Sequence, residues 1–249
     1  MKKFFMFLAV IGFIAIAAND AVAQTNDAAA QELLAGAASD APVYQQIKAK
    51  FIDGGVGFMA AVLLCLILGL AVAIERIIYL SLSTTNTSKL IAKVEDALNN
   101  GGVEAALEVC RNTRGPVASI FYQGLSRMDQ GLEAVEKSVV SYGGVQAAQL
   151  ETGLTWLSLF IAMSPNLGFL GTVIGMIGAF DAIQAAGDIS PIVVASGIKV
   201  ALITTVAGLI VALILQVFFN YITSKVESLV ITMEDASVSL IDILVKAKK

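Results

Sequence analysis

The chain has 249 residues, of which 57% are hydrophobic and only 14% are charged, with a net charge of −4 and no histidine. A soluble domain carries roughly 25% charged residues, so this composition excludes a protein whose apolar residues fill one water-soluble core, and it indicates a membrane protein. The acidic balance without blocks of like charge excludes a nucleic-acid-binding footprint. The lack of histidine, the commonest general base and metal ligand, argues against an enzyme, a metal site or a cofactor.

Residues 1–23 have the pattern of a secretory signal peptide. Two lysines precede the apolar stretch from Phe4 to Ala18, and Ala21–Ala23 is a small-x-small cleavage site. The apolar stretch is about 15 residues long, shorter than the roughly 20 of a spanning helix. We therefore expect cleavage after Ala23 rather than an uncleaved fourth span. Residues 24–53 would then form a periplasmic N-terminal segment, with a short amphipathic helix near Tyr44–Phe51.

Three later segments are long enough to cross a bilayer, because each exceeds the roughly 20 apolar residues that a spanning helix needs. None contains a charged side chain; they are residues 54–74, 154–180 and 200–224. With their flanks, the predicted transmembrane helices are residues 54–80, 151–185 and 191–223.

The distribution of lysine and arginine sets the predicted orientation. Both residues recur in 81–150, and lysine recurs in 224–249, whereas the short connection 186–190 contains neither. Cationic loops stay on the cytoplasmic side. We therefore expect a cytoplasmic helical domain at 81–150, a periplasmic loop at 186–190 and a cytoplasmic C-terminal helix at 224–249. A cleaved signal gives the same periplasmic N-terminus and places the chain in the bacterial inner membrane.

The segments outside the membrane predict helices and no strands. Apolar residues form one stripe from Thr87 to Leu98, and Asn99–Gly102 ends it, while Pro116 suits the first turn of a later helix. A helix is expected from about Leu132 straight into the second span. Apolar residues spaced by three and four after the third span predict that it continues into the cytoplasm. The predicted fold class is an all-α membrane protein.

The two cysteines give no disulfide framework. Cys65 lies within the first predicted span and Cys110 lies in the cytoplasmic segment. Since the two environments differ, we expect both thiols to be free.

Small residues recur through spans two and three, which must be antiparallel neighbours because their connection is short. Lipid supplies no hydrophobic force between helices, so close backbone approach through small residues holds such pairs together. The expected packing residues are Gly168, Gly171, Gly175, Gly197, Ala201 and Gly208. Taken alone, this pattern favours a tightly packed bundle.

Two threonines stand at matched positions in this hairpin. Thr172 precedes Ala186 by 14 residues, and Thr205 follows Pro191 by 14 residues. Both side chains should therefore lie at nearly the same depth. Their hydroxyls could bind a water or a carboxyl group in a pore, or could bond the carbonyl four residues earlier on their own helix. The matched depth favours the pore.

Charged residues near the outer end of the hairpin are a second candidate feature. Asp181 and Lys199 could form an interfacial ion pair or extend separately towards water. No Asp or Glu lies at the level of Thr172 and Thr205 in any span. A proton path through this hairpin therefore needs an acid from a second protein.

The second span resembles a known signature. Residues 164–176, a proline followed by G-x-x-G-T-V-x-G, resemble the second-span motif of the MotA/TolQ/ExbB proton-channel family, and residues 197–212 resemble its third-span motif. The three-span topology is similar to the ExbB and TolQ branch.

This resemblance implies a homopentameric ring around the single span of an ExbD- or TolR-like partner, whose membrane aspartate carries the proton. It implies that proton flow drives a TonB- or TolA-like protein, and it places Thr172, Thr205 and the neighbouring Thr204 on the ion pathway. One position departs from the pattern, because Val200 stands where many members have a glutamate. The choice between H⁺ and Na⁺ and the process that is powered stay open.

Two other classes of function remain to be weighed. A non-conducting membrane scaffold would use the small-residue faces for assembly alone. An intramembrane enzyme would need a paired nucleophile and base within the spans, and the spans offer none.

Overall fold

The computed structural model describes residues 43–187 and 191–247, and these residues form helices and turns without a strand. The predicted signal peptide and most of the N-terminal segment lie outside the described residues. Seven α-helices occur in the described ranges: α1 Val43–Asp53, α2 Val56–Ser83, α3 Thr87–Asn112, α4 Pro116–Leu125, α5 Leu132–Glu151, α6 Leu154–Ala186 and α7 Pro191–Ala247. The predicted all-α fold is confirmed for this part of the chain.

The chain divides into two compact units between Ala49 and Lys50, and everything described below belongs to the larger unit, residues 50–249. Within it, α2, α6 and α7 are long and apolar enough to cross a membrane. The helix α7 has 57 residues, about 86 Å at 1.5 Å per residue. It therefore extends well beyond a bilayer, as the apolar spacing after the third span predicts.

The transmembrane helices pack as a three-helix group in which α6 and α7 form the most extensive pair and α2 contacts both. Many large apolar side chains of α2 face outward, with Leu64 and Ile67 more than half exposed. An apolar helix surface of this kind is stable against lipid. On the opposite side of α2, Gly69 leaves room for the Leu215 side chain of α7.

A short break separates α5 from α6, and here the prediction of one helix running straight into the second span is wrong. The helix α5 ends at Glu151, and Gly153 has a φ of +87°. Glycine adopts this left-handed conformation at little cost. A Cβ at position 153 would also lie only 2.9 Å from Nε of Arg76. The glycine thus lets the guanidinium group of α2 approach the start of α6.

The helices α3, α4 and α5 pack beside the extension of α7, with Val94, Phe121, Val135 and Leu240 fully buried among them. Inside α3, Gly102 has a φ of +73° and interrupts the helical backbone, at the point where Asn99–Gly102 predicts an end. Pro116 is the first residue of α4, as predicted. This packing fixes the non-membrane half of α7 in place.

Both cysteines are buried and free. Burial raises the pKa of the Cys110 thiol to about 11. A thiol that stays protonated is a poor nucleophile, so Cys110 is expected to be unreactive.

Candidate functional site

The interface between α6 and α7 is a seam of small residues along which the two backbones touch. A Cβ at Gly168 would lie 3.0 Å from the carbonyl oxygen of Thr204 and 3.1 Å from Cα of Thr205. A Cβ at Gly175 would lie 3.2 Å from the backbone nitrogen of Ala201. Because these neighbours are backbone atoms, they cannot move aside as a flexible side chain would.

The same seam extends towards both ends of the helix pair. A Cβ at Gly208 would lie 2.5 Å from the carbonyl oxygen of Ser164, and one at Gly197 would overlap Ala179. Ala201 itself is 1% exposed. The predicted packing residues therefore lie where α6 and α7 are closest, which is the geometry that small residues permit in membranes.

Thr172 of α6 and Thr205 of α7 meet within this seam. Their hydroxyl groups contact each other directly, a pair that we call the threonine contact. Thr172 Oγ1 lies 3.0 Å from the carbonyl oxygen of Gly168. Thr205 Oγ1 lies 3.3 Å from the same carbonyl and 3.3 Å from that of Ala201. The two side chains stand at one height, and both are half-buried rather than enclosed.

The hydrogen-bonding capacity of this contact is asymmetric. Two hydroxyls supply two donors and four acceptor lone pairs. The carbonyls of Gly168 and Ala201 and the partner hydroxyl occupy the donors. Lone pairs remain for a group that approaches from outside. The contact is thus better suited to accept a hydrogen bond from water or from a protonated carboxyl group than to donate one to a carboxylate.

Thr204, the third residue predicted to lie on the ion pathway, does not share this environment. Its hydroxyl lies 2.8 Å from the Ala201 carbonyl, and the residue is 1% exposed. The side chain fills the space beside Gly171, where a Cβ would lie 2.7 Å from Thr204 Oγ1. One residue turns about 100° around a helix, so Thr204 points into the seam while Thr205 lies at its edge.

The charged residues form a different pair from the predicted one. Lys199 Nζ lies 2.7 Å from Oδ2 of Asp53, whereas Asp181 is exposed and makes no ion pair within the described residues. The end of α1 reaches α7 because Gly54 carries no side chain; a Cβ there would lie 2.9 Å from Ile203. The hydrogen bond from Lys199, and its positive charge, hold the pKa of the Asp53 carboxyl below its ordinary value.

Asp53 lies outside the hairpin, so the charges of the two hairpin spans alone do not predict it as the partner of Lys199. A usable signal existed: Asp53 directly precedes the first span, and Lys199 opens the charge-free part of the third. Both positions fall at the same face of the membrane in the predicted topology. At 100° per residue, Asp181 lies about 180° from Thr172 around α6, and Lys199 lies about 120° from Thr205 around α7. Neither predicted charge therefore shares a helix face with the threonine contact.

Exposed aromatic residues and the ion pair define a membrane frame around the site. Trp156 on α6 and Tyr221 on α7 are 61% and 48% exposed. Each lies 16 residues from the threonine contact, so their rings share one height, as in an interfacial aromatic belt. Lys199 precedes Tyr221 by 22 residues, about 33 Å, which matches a hydrocarbon core of about 30 Å. The threonine contact lies inside this core, about 9 Å from the Lys199 end.

Comparisons with known proteins converge on one family. The profile of the MotA/TolQ/ExbB proton channel family matches residues 112–235. An ExbB-like 1 biopolymer transport protein of Synechocystis is 31% identical over 179 residues, covering 70% of each chain.

Two further relatives carry similar names. A biopolymer transport protein ExbB homolog of Methanothermobacter thermautotrophicus is 35% identical over 162 residues, which are 65% of this chain and 57% of that protein. Biopolymer transport protein exbB1 of Vibrio cholerae is 47% identical over 68 residues, 27% of this chain and 30% of that protein. The chain thus spans a little over half of the Methanothermobacter protein and about a third of the Vibrio protein.

Proposed function

The chain belongs to the MotA/TolQ/ExbB proton channel family, and from this premise we propose that it is the proton-channel subunit of an ExbB/TolQ-type motor in the bacterial inner membrane. It is a multi-pass membrane protein of the biopolymer transport type. In the proposed function, the proton motive force drives energy transduction to the outer membrane through a TonB- or TolA-like protein. The observation that supports this most directly is the threonine contact, two half-buried hydroxyls at one depth inside the membrane.

The chemistry of the threonine contact favours an acid from a partner. The spans of this chain hold no carboxylate at the depth of Thr172 and Thr205. Free lone pairs on the two hydroxyls would accept a hydrogen bond from the O–H group of a neutral carboxylic acid. An ExbD- or TolR-like single-span protein with a membrane aspartate fits this requirement. Protonation of this aspartate from one side of the membrane would then favour its binding to the threonine contact. Release of the proton to the other side would disfavour that binding.

A ring of identical subunits fits the same chemistry. Each copy offers one threonine contact, and a homopentamer would present five equivalent contacts around a central partner helix. The outward apolar face of α2 suits lipid, which leaves the edge of the α6–α7 seam to face the centre of the ring.

The proposed orientation places the N-terminus in the periplasm and the extension of α7 in the cytoplasm. The cationic segments 81–150 and 224–249 support it. In this orientation the Asp53–Lys199 pair lies at the periplasmic face, and Trp156 and Tyr221 lie at the cytoplasmic face.

Val200 stands where the motif that residues 197–212 resemble often has a glutamate, and its side chain lies apart from the threonine contact. A Cβ at Gly55 would lie 4.0 Å from Val200 Cγ1, so the side chain at position 200 faces the turn between α1 and α2. A carboxylate there would lie away from Thr205. We therefore propose that the partner's aspartate is sufficient for conduction in this branch.

Proton uptake into proteoliposomes tests the proposal. The chain and its single-span partner are reconstituted together, a membrane potential is imposed, and a pH-sensitive dye reports uptake. Thr172→Val and Thr205→Val keep the side-chain shape and remove the acceptor, so uptake should fall to the background of empty vesicles. Thr232→Val is the matched control, since Thr232 bonds only the Ser228 carbonyl on the far extension of α7. Uptake that is unchanged in both threonine variants contradicts the proposal.

A non-conducting scaffold is the second candidate, and one observation favours it. The hydroxyls of the threonine contact already have acceptors within the chain, so a purely structural role would satisfy them. A scaffold predicts no dye response from the wild-type complex.

A further inference from the structure

A second group of polar side chains lies deeper on the same helix faces as the threonine contact. Gln216 and Asn220 follow Thr205 by 11 and 15 residues, and Ser158 precedes Thr172 by 14. At 100° per residue, these side chains lie within about 60° of their threonines around each helix axis. We call Ser158, Gln216 and Asn220 the inner polar level.

The inner polar level is accessible from outside the protomer. Ser158 and Asn220 are exposed and Gln216 is half-buried. Gln216 donates from Nε2 to Oδ1 of Asn220 at 3.2 Å, which uses one of its two N–H groups. The described residues offer no donor to the Gln216 carboxamide oxygen. Uncharged amides so arranged would be poorly solvated by lipid tails.

Gln216 lies deeper in the membrane than the aromatic belt, whereas Asn220 does not. Asn220 is the neighbour of Tyr221, so its amide can reach the headgroup region whether or not water enters the protein there. Gln216 lies five residues further in, about 7.5 Å inside the aromatic belt. Its polarity at that depth needs water or another protein group beside it.

An apolar section separates the inner polar level from the threonine contact. The residues of the same faces between them are Ile161 and Pro165 on α6 and Leu209 and Ala212 on α7. This section is about 16 Å long on α7. The polar groups on this face therefore form two levels with a hydrophobic barrier between them, rather than one continuous polar track.

We infer that the inner polar level lines a water-filled vestibule that opens to the cytoplasmic side and ends at the apolar section, about 16 Å from the threonine contact. The inference rests on the proposed function for the side of the membrane on which the vestibule opens, and on the placement of Gln216 for the water. A contact with lipid, or a dry contact with a second copy of the chain, are the competing explanations for this face.

Thiol accessibility tests the inference without requiring transport. Gln216→Cys and Ile214→Cys are compared in the assembled complex in inverted membrane vesicles, with a charged, membrane-impermeant methanethiosulfonate as the probe. Ile214 is two residues away at nearly the same depth, is 39% exposed, and points to a face about 160° away. The parent chain gives the background, because Cys65 and Cys110 are both buried.

The thiol in the Gln216→Cys variant should react about tenfold faster than that in Ile214→Cys, the ratio produced by one unit of pKa between a hydrated and an apolar site. Ser158→Cys lies on α6 only two residues, about 3 Å, inside Trp156, so it serves as the positive control for labelling close to the headgroup region. A rate in Gln216→Cys that does not exceed that of Ile214→Cys would overturn the inference.

The dye assay and the labelling assay fail independently. Proton uptake that depends on the threonines, combined with an unreactive thiol in Gln216→Cys, would overturn the vestibule and leave the proposed function standing. Fast labelling without any proton uptake would support the vestibule and contradict the proposed function.

Discussion

Replacing Gly168 by alanine should destabilise the α6–α7 pair, whereas the same change at Gly178 should not. A Cβ at Gly168 meets backbone atoms at 3.0 and 3.1 Å, below the 3.4–4 Å of ordinary contact. A Cβ at Gly178 meets nothing within 4 Å. Both glycines lie in α6, so the two variants share one chemical change and differ in what surrounds it.

The magnitude follows from the rigidity of the neighbours. The helices must separate by a few tenths of an ångström to admit the methyl group, and overpacking of this kind costs about 1–3 kcal/mol. Helix propensity acts in the opposite direction and favours alanine by up to about 1 kcal/mol. Gly178→Ala should therefore be neutral or slightly stabilising, while Gly168→Ala should lower the free energy of unfolding by about 1–2 kcal/mol.

The single tryptophan of the chain provides the assay. Trp156 lies on α6, so its fluorescence during titration of mixed micelles with a denaturing detergent reports unfolding of that helix. The difference between the two variants is the informative quantity. A free energy of unfolding for Gly168→Ala equal to or above that of Gly178→Ala would refute the description of the seam as backbone contact.

Three further outcomes are expected. Thr172→Ser should retain proton uptake, because the hydroxyl that completes the contact is kept; loss of uptake would mean that the methyl group, not the oxygen, matters. Asp53→Asn should lower the unfolding temperature at neutral pH by breaking the ion pair with Lys199. The pKa of Asp53 is lowered in the folded chain, so the stabilisation by the ion pair should be fully present at pH values above the ordinary pKa of 3.8. It should disappear as the pH falls through the lower pKa of the folded chain. A stability advantage of the wild-type chain over Asp53→Asn that grows with acidity would contradict this. Gly153→Ala should destabilise by more than the about 1–2 kcal/mol of a left-handed backbone, because its methyl group would also meet Arg76. Gly187→Ala, with a φ of +69° and a ψ of 2° and nothing within 4 Å of the added methyl group, should cost the backbone amount alone; equal losses in thermal unfolding would exclude the Arg76 contact.

Counting residues predicts the depth of a side chain well in this fold. An α-helix rises by a fixed 1.5 Å per residue, and a short connection fixes where two antiparallel helices begin. The height of Thr172 relative to Thr205 therefore follows from their equal separation from the connection. The long extension of α7 follows in the same way from an apolar spacing that does not stop at the membrane.

Rotation about the helix axis and contacts with remote segments are harder to predict. Thr204 and Thr205 are neighbours in the sequence, and only the packing of α7 on α6 determines which one is enclosed. The pairing of Lys199 with Asp53 depends on where the turn before the first span rests, which no pattern within the hairpin specifies. The sequence does not signal the break at Gly153, because glycine is common in transmembrane helices, and the side chain that a Cβ there would meet, Arg76, belongs to another helix.

The most direct measurement of the central claim is proton uptake by the reconstituted complex with serine and then valine at position 205. Serine keeps an oxygen beside Thr172, and valine replaces that oxygen with a methyl group of similar size. Uptake that survives in Thr205→Ser and falls to background in Thr205→Val is the predicted result. Equal uptake in the two variants, in complexes that assemble equally well, would show that protons do not use the threonine contact.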